Sequence, residues 1–254
     1  MKAPRSISAS APLVCALCLC VLPQLCGADV KAQTVVAERT SKAGVRVVLG
    51  VDADDNVREV DVGLPGGSAQ PEIWANLGTR VVTSGSLTLA GLLPKGQVAT
   101  LARRVSLDNG TIIHIVITWG FAEDPHLLRV YCHLYAFREQ GGMVEKVADE
   151  ELGSELEQLV VEDVNRDGKT EILAVTGENE AETMYVWQIE LDGEVQEIQR
   201  IEGYHIHALS DNLTEPGEGI LVEEKVGSPR GGLACYEIHE YIWSPKQRKF
   251  LIEH

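Results

Sequence analysis

The chain is dominated by short runs in which apolar and polar residues alternate, and these runs recur in blocks of about fifty residues. Runs such as "VRVVLGV" (45–51), "TIIHIVIT" (111–118), "LLRVYCHLYAF" (127–137) and "TMYVWQIEL" (183–191) are rich in β-branched and aromatic residues. A period of two with that composition reads as strand rather than helix. Between the runs stand Asp54-Asp55-Asn56, Asp108-Asn109-Gly110, Gly141-Gly142 and Asp192-Gly193. Asn-Gly and Asp-Gly between alternating segments are strong hairpin signals, because they accept the positive φ that tight hairpin turns need. The expected architecture is therefore all-β and antiparallel.

The blocks have a common plan of four strands. One spans about 99–148, a second 153–201 and a third 204–254. A less regular one precedes them at about 44–93, opening with "VRVVLGVDADDNVREVDV". Within it, "PEIWANLG" (71–78) has proline near its start and glycine at its end, which would suit a short helix. Repeated four-stranded units point to a β-propeller-like fold or part of one. A β-sandwich or meander is the alternative, since evenly spaced strands suit either.

The first residues belong to a different class of segment. Lys2 and Arg5 precede an apolar run of about fifteen residues, followed by Cys26-Gly27-Ala28. A basic start, a short apolar core and small residues before a cut describe a signal peptide over 1–28, leaving 29–254 as the β-repeat domain. The run is shorter than the ~20 residues of a spanning helix, and no later segment is long and apolar enough. Retention of the segment as a membrane anchor is the alternative. The expected location is secreted, periplasmic or otherwise extracytoplasmic.

Charge narrows the partners. The whole chain carries −16, and removing Lys2 and Arg5 with the leader makes that −18. Nucleic-acid binders show basic patches, so nucleic acid is excluded as a partner. Of the six cysteines only Cys132 and Cys235 remain after 1–28. Two cysteines permit at most one disulfide and cannot scaffold a fold, so the domain must build an ordinary core.

The most specific stretch is "VEDVNRDGKTEILAV" (161–175). Asp163, Asn165 and Asp167 alternate, Gly168 follows, and Glu171 stands at position nine counted from Asp163. Oxygens at positions one, three and five of a curled loop can converge on a hard cation, with glycine at six taking the sharp turn. A helix-loop-helix calcium site would need glutamate at position twelve, where Ala174 stands. The flanks read as strands, so this is a loop joining two strands. A second acidic stretch, "DADDN" (52–56), offers Asp52, Asp54 and Asn56 but lacks glycine and a later carboxylate in register. It reads as a turn, since Asp and Asn are also what turns use.

The strand "QLVVED", the loop "DVNRDGKTE" and the strand "EILAV" together resemble the calcium loops of FG-GAP/VCBS repeats, the blades of integrin-alpha-type propellers. The resemblance implies Asp163, Asn165, Asp167 and Glu171 as side-chain ligands, the backbone carbonyl of Lys169 as a further one, and a structural Ca2+. It also implies a binding or scaffold role toward a protein or surface glycan. The chain departs from the family in having glutamate rather than aspartate at the ninth position, and in lacking the Phe-Gly and Gly-Ala-Pro signatures.

Other chemistry is thin. His205 and His207 share a strand face, and His239 lies on a later strand of the same unit; three imidazoles can hold zinc. No HExxH, CxxC or Gly-x-Ser-x-Gly pattern occurs. Ser84 and Ser154 read as loop serines and Cys132 as packing, so no catalytic residue is assigned. Trp119 and Trp243, near strand ends, could stack on sugar rings or pack in the core. Asn109 and Asn212 head Asn-x-Thr sequons. The alternative to a binding module is an exported enzyme or enzyme accessory using a carboxylate or histidine site.

Overall fold

The computed structural model describes residues 34–253, apart from 41, 43, 45, 64–75, 122–129, 154, 179–180, 209–218 and 228–234. Eighteen strands and no helix are found among them. The first sheet holds β1 (Thr34–Thr40), β2 (Arg46–Val51), β3 (Asn56–Gly63) and β4 (Asn76–Thr79). A small hairpin, β5 (Thr83–Ser84) and β6 (Leu87–Thr88), follows. The second sheet holds β7 (Val98–Ser106), β8 (Ile112–Phe121), β9 (Val130–Gln140) and β10 (Met143–Gly153). The third holds β11 (Glu155–Glu162), β12 (Thr170–Glu178), β13 (Ala181–Ile189) and β14 (Val195–Gly203). The fourth holds β15 (His205–Ala208), β16 (Ile220–Gly227), β17 (Cys235–Ser244) and β18 (Lys249–Ile252). Every sheet is an antiparallel meander with its strands in chain order.

Alternation along the strands explains how the sheets stack. Ile113, Ile115 and Ile117 of β8, with Leu134 and Ala136 of β9, meet Ile172 and Ala174 of β12 and Tyr185 and Trp187 of β13 in one core. The intervening residues of the third sheet, Leu173, Val175, Met184 and Val186, point the other way. They pack on Ile206, Ile220, Val222, Trp243 and Phe250 of the fourth. On the far face of the second sheet, Ala99, Val116, Tyr135 and Phe137 pack under Leu89, with Leu87 of the hairpin against them. Val98 and Phe121 join Leu49, Val51 and Val57 of the first sheet. Middle strands with both faces covered need near-continuous apolar sequence, which is why "IIHIVIT" carries no charged residue.

The fold is thus all-β in antiparallel four-stranded units, as expected. Burial of both faces of the second and third sheets is a serial, propeller-like stack; a two-sheet sandwich buries one face of each sheet. No core cluster of the described residues contains residues from both the first and the fourth sheet.

The structure corrects some details. The first sheet begins at Thr34, earlier than position 44. Residues 76–78 of the suggested helix fall in strand β4, paired with β3; residues 71–75 lie outside the described residues. Residues 1–28, Ser154 and Asn212 also lie outside them. The fourth strand of the first sheet is short, so its sequence signal is weaker.

Candidate metal centre

The loop 163–169 connects β11 to β12 and is shaped by its own side chains. The Asp167 amide donates to Asp163 Oδ1 (3.1 Å) and Asn165 Oδ1 (2.9 Å). The Gly168 amide donates to Asp163 Oδ2 (3.0 Å), and the Lys169 amide to Asp167 Oδ1 (2.9 Å). These local bonds curl the backbone so that the side chains at one, three and five turn inward. Arg166 takes φ 57° and Gly168 φ 86°. A Cβ at Gly168 would meet nothing within 4 Å, so glycine is needed there for its conformation and not for space.

One residue of the loop is anchored in the core. Val164 is fully buried among the side chains between the third and fourth sheets. The curl is therefore pinned from behind.

Glu171 is the unusual group. It is 0% exposed, on β12 opposite Glu162 of β11 and Gln188 of β13. Its Oε2 accepts from the Val164 amide (3.2 Å) and its Oε1 from Gln188 Nε2 (2.8 Å). Burial pushes its carboxyl up to about 7; the Asp167 and Asp163 charges push the same way, and the Gln188 and Val164 bonds oppose them. Gln188 Nε2 also donates to Asp167 Oδ2 (3.1 Å), so one amide bridges two carboxylates. Behind it, Lys169 pairs with Glu190, and Arg248 of the β17–β18 turn reaches both Gln188 and Glu190. The loop is thereby tied to the fourth sheet.

This arrangement suits a hard cation. A buried carboxylate beside two like charges is destabilised unless a positive charge or proton compensates it. Asn165, 6% exposed, has a buried Nδ2 with no hydrogen-bond partner, so its amide is held in place through Oδ1 and the loop backbone alone. Carboxylate, amide and carbonyl oxygens are the donors calcium takes. Among the described residues no three His, Cys, Asp or Glu side chains form a group that holds a metal by themselves. A cation in the loop would therefore also depend on the Asn165 amide oxygen and the Lys169 carbonyl.

The other sequence candidates separate. In "DADDN", Asp52 Oδ1 accepts from the amides of Asp54 (2.9 Å) and Asn56 (3.0 Å), and Asn56 Nδ2 returns to the same carboxylate. It is a turn whose carboxylate caps its own backbone. His205 and His207 align with Glu223 and Leu221 across β15 and β16, whereas His239 aligns with Val222 and Ile206. Cross-strand partners share a face, so His239 lies on the opposite side of the sheet and the three do not form a zinc site. His205 instead bonds Glu182 (2.9 Å), which raises its pKa. Trp119 (8% exposed) and Trp243 (5%) are core residues, not sugar platforms. Cys132 and Cys235 are both free; burial pushes the Cys132 thiol up to about 12, leaving it unreactive. Two clefts, of about 350 and 630 Å3, lie beside the first sheet and do not include the loop.

Gln188, Glu190, Arg248 and Val164 are the participants that sequence reading missed. Only the pairing register, which sets Gln188 opposite Glu171, would have pointed to one of them.

No protein-family model matches the chain, and no curated protein matches it. Among solved structures, it aligns with Bombyx mori GH32 beta-fructofuranosidase BmSUC1 at 11% identity and a TM-score of 0.36. The alignment covers 88% of this chain and 49% of that one, so the chain spans about half the length of that protein.

Proposed function

We propose that this is an exported β-repeat protein of FG-GAP/VCBS type, with Ca2+ held structurally by Asp163, Asn165, Asp167, Glu171 and the Lys169 carbonyl. Its role on this reading is that of a binding or scaffold module toward a protein or a surface glycan. The observation that supports it best is Glu171: a carboxylate with no exposure, next to two further acids, at the ninth position of a curled Asp-x-Asn-x-Asp-Gly loop.

The ion's task is mechanical. It neutralises the three acids and fixes the β11–β12 loop, whose Val164 lies in the core and whose Asp167 accepts from Gln188 of β13, itself bonded to Arg248 beside the fourth sheet. Binding only to the folded state stabilises that state by mass action, about 2.7 kcal/mol at a hundred times the dissociation constant. The test is a melting experiment in millimolar calcium against chelator, because extracellular calcium modules bind at roughly 0.1–1 mM. A calcium-dependent rise that Asp163→Ala removes supports the reading; identical curves overturn it.

A further inference from the structure

Between the small hairpin and the second sheet, away from the loop, three side chains stand in the order hydroxyl, imidazole, carboxylate. Ser84 Oγ lies 2.9 Å from His114 Nδ1, and His114 Nε2 lies 2.9 Å from Glu139 Oε2. His114 is 0% exposed in the apolar strand β8, Ser84 is 4% exposed on β5, and the Glu139 side chain is 25% exposed on β9. The three come from segments 30 and 25 residues apart, so only the folded chain brings them together. We propose that Ser84, His114 and Glu139 form a nucleophilic relay that cleaves small acyl esters. This goes beyond the calcium-module reading and uses none of its residues.

The chemistry follows from the hydrogen-bond directions. A carboxylate on Nε2 can only accept, so it holds the imidazole proton on that nitrogen. Nδ1 then presents its lone pair to the Ser84 hydroxyl, which donates. Ser84 Oγ attacks the acyl carbon while its proton passes to Nδ1; the C–O bond to the leaving group breaks, and the departing alcohol takes that proton back. Water repeats the two proton transfers in reverse order, releasing the acid and restoring Ser84. Glu139 is a positioning residue: it fixes the tautomer and offsets the charge of the imidazolium.

The setting of the serine supports a reactive role. Gly85, next in the chain, is an exposed turn residue at φ 59°. Arg104, opposite His114 on β7, brings its guanidinium to the same turn, since a Cβ on Gly85 would sit 3.4 Å from Arg104 Nη1. Arg104 is exposed and has no ion pair among the described residues. A positive charge beside the nucleophile suits the negative charge that develops on a carbonyl oxygen under attack. A serine needed only to hold the hairpin would require neither Glu139 behind the histidine nor an unpaired cation beside the turn.

The purified protein treated with a small fluorophosphonate, and assayed separately with p-nitrophenyl acetate, tests this. The expected result is a single adduct that maps to the Ser84 peptide, with ester turnover lost in Ser84→Ala. His114→Gln should slow labelling by about 100-fold or more, the scale of general-base catalysis. Glu139→Gln should slow it strongly, and Glu139→Asp should recover part of the rate, which a purely structural carboxylate would not require. Labelling of the wild type needs no variant to fold. Absence of an adduct on Ser84, or ester turnover in Ser84→Ala equal to wild type, overturns the proposal.

Discussion

Two acidic turns of this chain look alike in sequence and differ in what surrounds them. In 52–56, Asp52 folds its carboxylate back onto the amides of Asp54 and Asn56, and the Asp55 carbonyl accepts from the Arg80 amide. In 163–171 the same kind of local bonding is only the outer layer. Val164 is buried in the core, Glu171 is wholly enclosed, and Gln188 reaches in from β13, with Arg248 of the β17–β18 turn bonded behind it. Acidic composition makes a turn; a carboxylate carried by the following strand into the space between two sheets makes a place that demands a compensating charge.

The largest expected effect concerns Glu171. Its folded-state pKa is raised from the ordinary 4.5 to about 7 by burial first, then by Asp167 and Asp163. The folded state therefore keeps a proton that the unfolded chain releases. The stability this group lends is complete below about 4.5 and is lost as pH rises to about 7. Without calcium, that loss should be on the order of 3 kcal/mol. Denaturant titrations across this window should show the slope in wild type and its absence in Glu171→Gln; an unchanged slope in the variant would place the titration elsewhere.

Next comes the direct contrast between the turns. Asp167→Ala should remove most of the calcium-induced stabilisation, about 2–3 kcal/mol at saturating ion. Asp54→Ala should leave that increment intact. Equal losses from both variants would mean that calcium acts on the overall negative charge and not at one loop.

A smaller effect tests the third-sheet side of the loop. Gln188→Ala removes the amide shared by Asp167 and Glu171, and should cost about 1–3 kcal/mol in chelator, as a buried group loses its partner. Calcium should restore part of that loss, because the ion replaces the missing positive pole. Chemical denaturation in chelator and in calcium would measure both. If calcium restores nothing, Gln188 is only packing.

Much of the fold was legible because strand periodicity and turn chemistry are local. The units expected at 99–148, 153–201 and 204–254 correspond to sheets over 98–153, 155–203 and 205–252. The reading failed where punctuation is shared: proline and glycine around 71–78 suit a helix or a loop, and pairing with β3 made 76–79 a strand. In the loop, the spacing of Asp163, Asn165, Asp167 and Gly168 was legible because the side chains bond the backbone within five residues. The burial of Glu171 and its bond to Gln188, which Arg248 holds from the other side, depend on strand register and on the stacking of two sheets. The same holds for Ser84, read alone as a loop serine, whose meeting with His114 and Glu139 exists only in the folded chain.

The most direct measurement is a calorimetric titration of calcium into chelator-treated protein at pH 8, with magnesium as the control. One calcium per chain, magnesium much weaker because it requires tight octahedral geometry and sheds water reluctantly, and loss of the calcium heat in Asp167→Ala are the results expected. No saturable calcium heat in the wild type, or the same heat in Asp167→Ala, would contradict the account.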